Sequence, residues 1–324
     1  MADLGKHRMY WLHALTPLHV GSGGGIGFID LPIMREAVTN WPLVPGSTVK
    51  GVLADSFGAD DEARDPTNVG KYRSQHRLAF GRSGEEHSNA GALVFTDARL
   101  VCLPVRSLYG TFAWCTAPLV LARVYRDVER QGLQAGLKPM LAAPERDGGR
   151  ALWALVPGDP TSKLCGETNA VYFEDLDFAA DADERVKAWS EKLAGWAFPD
   201  EPSSDGTEQD NGPWRRMFRE RFVVVADDVF TFLCETAMQV DARVRIDDAT
   251  RTASGGALWY EESLPAESIL AGYAWCDKLY GLNPKEGKAP DLLAEYCTQP
   301  RALQIGGKAT VGRGQVRMTF TSGA

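Results

Sequence analysis

The chain has 324 residues, 44% apolar and 24% charged, enough to bury a sizeable core in one elaborated domain or two ordinary ones. Its 35 basic and 43 acidic residues leave a net charge of −8, which argues against a protein that coats nucleic acid by bulk charge alone. No uncharged apolar run approaches the ~20 residues that span a bilayer, the opening residues lack the apolar stretch of a secretory signal, and the six cysteines are widely spaced with no CxxC pair. A soluble, cytoplasmic, globular protein with reduced cysteines is expected.

In chain order, Tyr10 to Leu18 (YWLHALTPL) has strand composition and runs into a glycine cluster, Gly21 to Gly27. After the polar stretch LPIMREAVTNWP comes a helix-start pattern, PGSTVKGVLADSF, with Ser47 as N-cap and Val49, Val52, Leu53 and Phe57 at helical spacing. Residues 55–91, polar and holding His76 and His87, read as a long loop or lid. ALVFTDARLV and PVRSLYGTFAWCTAP read as buried strands, and PLVLARVYRDVERQGL as a helix. Residues 179–212 read as an acidic surface insertion, a helix followed by a flexible loop. FVVVADDVFTFLCETAM reads as strand, turn and helix, and residues 239–262 as a β-hairpin. A helix is expected over PAESILAGYAWCDKLYG, then strand, glycine loop and strand over ALQIGGKATVGRGQVRMTF. Strands that neighbour one another in sequence favour an α+β fold over a doubly wound sheet. Without an interdomain linker, one domain over residues 1–324 is expected.

The charge is uneven. Residues 174–210 hold twelve acids against Arg185, Lys187 and Lys192, whereas from Arg301 onward there are four basic residues and no acid. Net charge therefore leaves a nucleic-acid partner open.

Two glycine loops carry the chemistry. TPLHVGSGGGIGFID allows close backbone approach to a phosphate, yet it fits GxGxxG in no register; it is either a phosphate-contacting loop or a turn between strands. IGGKATVGRGQV fails the P-loop pattern, because Ala309 follows Lys308. Gly306, Gly307, Gly312 and Gly314 alternating with Lys308 and Arg313 suit an extended phosphate chain or a hairpin with solvated charges. All five histidines lie within the first 87 residues, and neither HExxH nor GxSxG occurs, so no hydrolase triad can be nominated. Asp30, at the end of the first loop, could take a proton, hold a divalent ion, or cap a turn. His19 adjoins that loop, and Glu261 and Glu262 follow two aromatics as a second carboxylate or as an exposed strand end.

The segments TPLHVGSGGGIGFIDLPIMRE, PGSTVKG, GALVFTDARLVCLPVRSLYGTFAWCTAPLVLAR, GALWYEESLP and IGGKATVGRG occur in the order of one family. The chain resembles, over essentially its whole length, the RAMP-superfamily backbone subunit of type III-B CRISPR (Cmr) effector complexes. The acidic insert is the part without a match. The resemblance implies an RRM-like (ferredoxin-like) palm with large insertions, copies of which stack into a helical filament along a CRISPR guide RNA beside other Cmr subunits. It implies a thumb hairpin, matched by residues 239–262, that displaces a nucleotide of the guide–target duplex at regular intervals.

It further implies metal-dependent cleavage of the complementary target RNA, with Mg²⁺ or Mn²⁺ as the divalent cation. Asp30 matches the catalytic aspartate and metal position, His19 the TPLH histidine, and Glu261 or Glu262 the acidic position before LP. The family has an aromatic where this chain has Ser263. RNA contacts are expected from Gly21, Ser22 and Gly23, from Ser47, Lys50 and Gly51 at a helix N-terminus, from Arg243, and from Gly306, Gly307, Lys308 and Arg313. The competing expectation is a scaffold that binds guide RNA and cuts nothing.

Overall fold

The computed structural model describes residues 7–25, 28–64, 69–82, 89–140, 152–158, 162–166, 169–199, 212–247, 249–251, 253–276 and 291–322. A 12-stranded mixed sheet organises them. Its path runs through Arg301–Gln304, Gln315–Ser322, His7–Ala14, Ile269–Cys276, Ala98–Arg106, Phe112–Thr116, Phe222–Val225, Trp153–Pro157, Leu176–Asp183 and Ala170–Phe173. Only two neighbouring pairs along that path are parallel: Phe222–Val225 with Phe112–Thr116, and Leu176–Asp183 with Trp153–Pro157. The expected α+β class is what is found.

Alternation along the N-terminal strand sends successive side chains to opposite faces of the sheet. Trp11 stacks on Trp196, ring centroids 5.3 Å apart, while Tyr10 meets Phe95 at 5.8 Å. Cys102, Cys115, Cys234 and Cys297 are buried.

Three segments differ from their sequence reading, each for a physical reason. Residues 55–91 are no long loop: helices Gly46–Arg64 and Val69–Phe80 occupy much of the segment. Tertiary contacts supply what periodicity lacked. His76 Nε2 donates to the Ala54 carbonyl at 2.9 Å, and the rings of Phe57, His76, Phe80 and Tyr296 cluster between the elements. His87 lies outside the described residues.

The helix expected after Pro265 is instead the central strand Ile269–Cys276. Most of this strand is buried, so it shows no polar–apolar alternation and its run of apolar residues mimics a buried helix. Gly272 marks the tight crossing: a Cβ there would lie 2.5 Å from the Tyr10 ring.

The acidic segment splits. Its first residues complete the strand Leu176–Asp183, and helix Glu184–Ala197 follows. Asp183 caps that helix, accepting the Arg185 and Val186 N–H groups. The hydrogen bond from the Arg185 side chain, chiefly, holds the Asp183 carboxyl below its ordinary value. Val186, Trp189, Leu193, Ala194 and Ala197 are buried, and Trp189 Nε1 donates to the Lys138 carbonyl at 3.0 Å. This half of the segment is core, its acids confined to the wet side. The expected flexible loop lies outside the described residues.

Residues Gln239–Ile246 and Ala253–Ser263 pair as a separate two-stranded hairpin, with a register shift between Val244 and Ile246.

Candidate nucleic-acid interface and active site

Both glycine loops leave the same end of the sheet. Gly314 donates its N–H to the Pro17 carbonyl at 3.0 Å, and Leu18 exchanges backbone hydrogen bonds with Leu264 at 2.8 and 2.9 Å. His19 stands between the loops with its ring buried. Its Nδ1 lies 2.6 Å from the Glu262 carbonyl. A carbonyl can only accept, so Nδ1 carries a proton and donates it. The His19 carbonyl in turn accepts the Gly307 N–H at 2.9 Å. A Cβ on Gly306, at φ +80°, would lie 2.3 Å from that carbonyl. Glycine at this position lets the second loop close onto His19.

Asp30 is delivered by a doubled-back strap. Ser22 N–H donates to the Pro32 carbonyl at 3.0 Å and Met34 N–H to the Val20 carbonyl at 2.8 Å. A Cβ on Gly25 would sit 2.1 Å from the Ile29 carbonyl. Asp30 itself is exposed at the foot of the hairpin, its Oδ2 accepting the Tyr260 N–H at 2.8 Å. The next residue continues the seam: Leu31 N–H donates to the Tyr260 carbonyl at 3.1 Å, and the Leu31 carbonyl accepts the Glu262 N–H at 3.0 Å.

The two glutamates have different environments. Glu262, 3% exposed, accepts the Ile33 N–H at 3.0 Å through Oε2 and the Arg35 guanidinium at 2.5 Å through Oε1. Glu261, 5% exposed, accepts Lys308 Nζ and Trp259 Nε1, both at 2.7 Å, through Oε1; Arg243 Nε lies 3.4 Å from Oε2. Burial opposes its ionisation, but the hydrogen bonds from Lys308 and Trp259 and the charges of Lys308 and Arg243 outweigh it, holding the carboxyl below its ordinary value of 4.5. Glu261 is thus an ionised, paired carboxylate.

The chain of charges continues from the hairpin into the second loop. Asp241 ion-pairs with Arg313 and lies 3.9 Å from Arg243. The Arg313 side chain is buried, and its pair with Asp241 fastens the loop to the hairpin. Lys308 and Arg243, each with about a third of its side chain exposed, keep a solvent-facing aspect. Gly21, Ser22, Gly23, Gly306 and Gly307 are exposed beside them.

Ser47, Lys50 and Gly51 belong to a different element, the helix Gly46–Arg64, which packs against strands Leu93–Phe95 and Arg301–Gln304. Ser47 is not the cap expected of it: the helix already includes Gly46, whose N–H is taken by Asp97 Oδ1 at 2.8 Å. Lys50 Nζ donates to the Leu93 carbonyl at 2.8 Å, and burial lowers its pKa.

The hairpin has two unlike faces. Directly paired residues share a face, so Ala242, Val244, Leu258 and Tyr260 form an apolar one, with Val244, Leu258 and Tyr260 exposed. Asp241, Arg243, Trp259 and Glu261 form the charged one. Sequence reasoning missed Asp241, Trp259 and Arg35. The strict alternation of VDARVR was the available signal for Asp241, whereas nothing local marks Arg35, whose partner lies 227 residues away. Among the described residues no cluster of three or more His, Cys, Asp or Glu could hold a metal. Asp30 is a single exposed carboxylate, too few protein oxygens to cage an ion by itself.

The sequence profile of the RAMP superfamily matches residues 11–317. The chain belongs to the RAMP superfamily. Within it, the chain is 31% identical over 323 residues to the CRISPR system Cmr endoribonuclease Cmr4 of Pyrococcus furiosus, covering 97% of this chain and 96% of that one. The crystal structure of oligomeric Cmr4 from Pyrococcus furiosus superposes with a TM-score of 0.62 at 26% identity, over 99% of this chain and 100% of the other. A chain of the type III-B Cmr-beta complex in its apo state shares the fold, with a TM-score of 0.68 at 20% identity over 98% of each chain. In this chain the extended α+β sheet carries the two glycine loops and the hairpin at one end. No helix among the described residues of this RAMP protein is long and apolar enough to cross a membrane.

Proposed function

We propose that this chain is a guide-binding backbone subunit of a type III-B CRISPR complex. It assembles with further copies of itself and with other Cmr subunits, and it cleaves guide-complementary target RNA at regular intervals. The observation that carries the reading is the placement of Asp30: an exposed carboxylate fixed by the Tyr260 N–H at the foot of a projecting hairpin, next to loops that match the family motifs. Base pairing with the guide selects the target, while the protein holds backbone and shape.

The chemistry needs little from the protein. A regular A-form helix does not align a 2′-hydroxyl with the adjacent phosphorus, and splaying one nucleotide out of the stack supplies that in-line geometry. The exposed apolar side chains Val244, Leu258 and Tyr260 suit a wedge between base pairs. Asp30 takes the proton of the 2′-hydroxyl; the 2′-oxygen bonds to phosphorus, the bond to the 5′-oxygen breaks, and that oxygen takes up a proton from solvent. The partly exposed Lys308 and Arg243 supply positive charge for the phosphate chain. A Mg²⁺ or Mn²⁺ ion held by Asp30 and RNA phosphates would offset charge gathering on the phosphorane.

The test uses assembled, guide-loaded particles with native Asp30 or Asp30→Asn, labelled complementary RNA and Mg²⁺, scoring binding and cleavage separately. Evenly spaced cuts that disappear in the variant with binding intact are expected. Cuts that persist would make the chain a scaffold and move the nuclease to another subunit.

A further inference from the structure

Arg35 and Glu262 lie in two motif segments far apart in the chain, and they form one of the most enclosed ion pairs beside the site. The Arg35 side chain is 15% exposed and that of Glu262 4%. Burying two charges is costly unless their geometry and remaining hydrogen bonds are satisfied, and here they are. Arg35 Nη1 donates to the Asn40 and Cys234 carbonyls at 2.9 and 3.0 Å while Nη2 meets Glu262 Oε1 at 2.5 Å. The second carboxylate oxygen accepts the Ile33 N–H at 3.0 Å.

Residue 262 is also where His19 and the Asp30 strap share a reference. Its carbonyl accepts the His19 Nδ1–H at 2.6 Å. Its N–H donates to Leu31, one residue from Asp30. Three groups on one residue thus fix the ring, the strap backbone and the arm beyond it. Arg35, on that arm, locks the set by gripping the turn and the helix Asp227–Thr236 with the same guanidinium.

We propose that Arg35 and Glu262 are positioning residues for RNA cleavage. Together they hold the Asp30 strap in register with the hairpin and keep the His19 Nδ1–H on the Glu262 carbonyl. Neither touches RNA; each acts through Asp30 and His19. Glu262 is therefore not a proton-transfer group, and Arg35 is not a phosphate contact. The inference rests on the nuclease reading above, and a misplacement of about 1 Å at the reacting groups corresponds to about a 100-fold loss of rate.

The experiment compares the parent with Glu262→Gln and with the double variant Arg35→Met/Glu262→Met. The double variant removes both charges, so a buried charge is not left unpaired. Each is assembled into guide-loaded particles and read four ways: thermal midpoint, target-RNA Kd, single-turnover cleavage rate, and the ¹⁵N shifts of the His19 ring in labelled chain. A double variant that melts and binds like the parent, cuts about 100-fold more slowly and loses the Nδ1–H pattern is the expected result. Parental cleavage together with a parental ring pattern would overturn the proposal. Should the double variant fail to assemble, Glu262→Gln decides by the same two readouts. Should the parent not cut at all, the nuclease reading fails separately, and the His19 spectrum still decides whether the pair keeps the Nδ1–H in place.

Discussion

Lys308 and Glu261 join the second glycine loop to the hairpin, and their coupling can be measured. Glu261 is buried and gathers Lys308, Trp259 and Arg243. Replacing it with alanine strips a common acceptor from three donors, and breaking a buried pair from its enclosed side costs about 3–5 kcal/mol. Lys308→Ala is milder: a third of that side chain is exposed, and Glu261 keeps two donors. After discounting for solvent screening the loss is about 1–2 kcal/mol. The double variant should therefore cost little more than Glu261→Ala alone, a coupling of about 1–2 kcal/mol in a double-mutant cycle.

At about 2–4 °C per kcal/mol, thermal unfolding resolves both single changes. The pH dependence has a defined sign. The folded carboxyl lies below its ordinary 4.5, so its stabilisation is fully present above that value and disappears as pH falls through the folded-state value. The gap between parent and Glu261→Gln should narrow on acidification below about pH 4.5. Costs that simply add in the double variant would refute a shared carboxylate clamp.

The remaining expectations concern placement. Trp189→Ala should destabilise the fold by about 3–5 kcal/mol, measured by chemical denaturation; a change near zero would return helix Glu184–Ala197 to the surface. Lys50→Glu should weaken guide binding and lower the melting midpoint modestly, by removing the donor to the Leu93 carbonyl, whereas Arg313→Glu should lower the midpoint further by setting two acids together, and pairing it with Asp241→Arg should restore it. Equal melting losses at both positions would contradict the different settings of the two cations.

The sequence made some of this plain and hid the rest for identifiable reasons. The hairpin was legible because VDARVR alternates strictly and a turn-rich centre follows. The two glycine loops and Asp30 were legible through motif order. Strand Ile269–Cys276 was not, because burial removes the polar half of its pattern. The inward face of helix Glu184–Ala197 was masked by the acids around it. Composition reports charge, not the side of a helix on which it sits. Pairs such as Arg35 with Glu262 and Asp241 with Arg313 are set by tertiary geometry alone, so no local window contains them.

The position of the first strand has a consequence for synthesis on the ribosome. His7–Ala14 lies between Ile269–Cys276 and Gln315–Ser322. Trp11 finds its hydrogen-bond partner Thr321 310 residues later, and His13 meets Glu267 254 residues later. During translation this apolar strand therefore emerges with both ladder edges unpaired and waits for nearly the whole chain. At 5–20 residues per second that wait is on the order of 15–60 s, long enough for unpaired strands on neighbouring nascent chains to associate. Slow, non-local closure of this kind makes the strand a natural client for a chaperone, and it predicts that fragments ending before the last strand accumulate as aggregates rather than as partial domains.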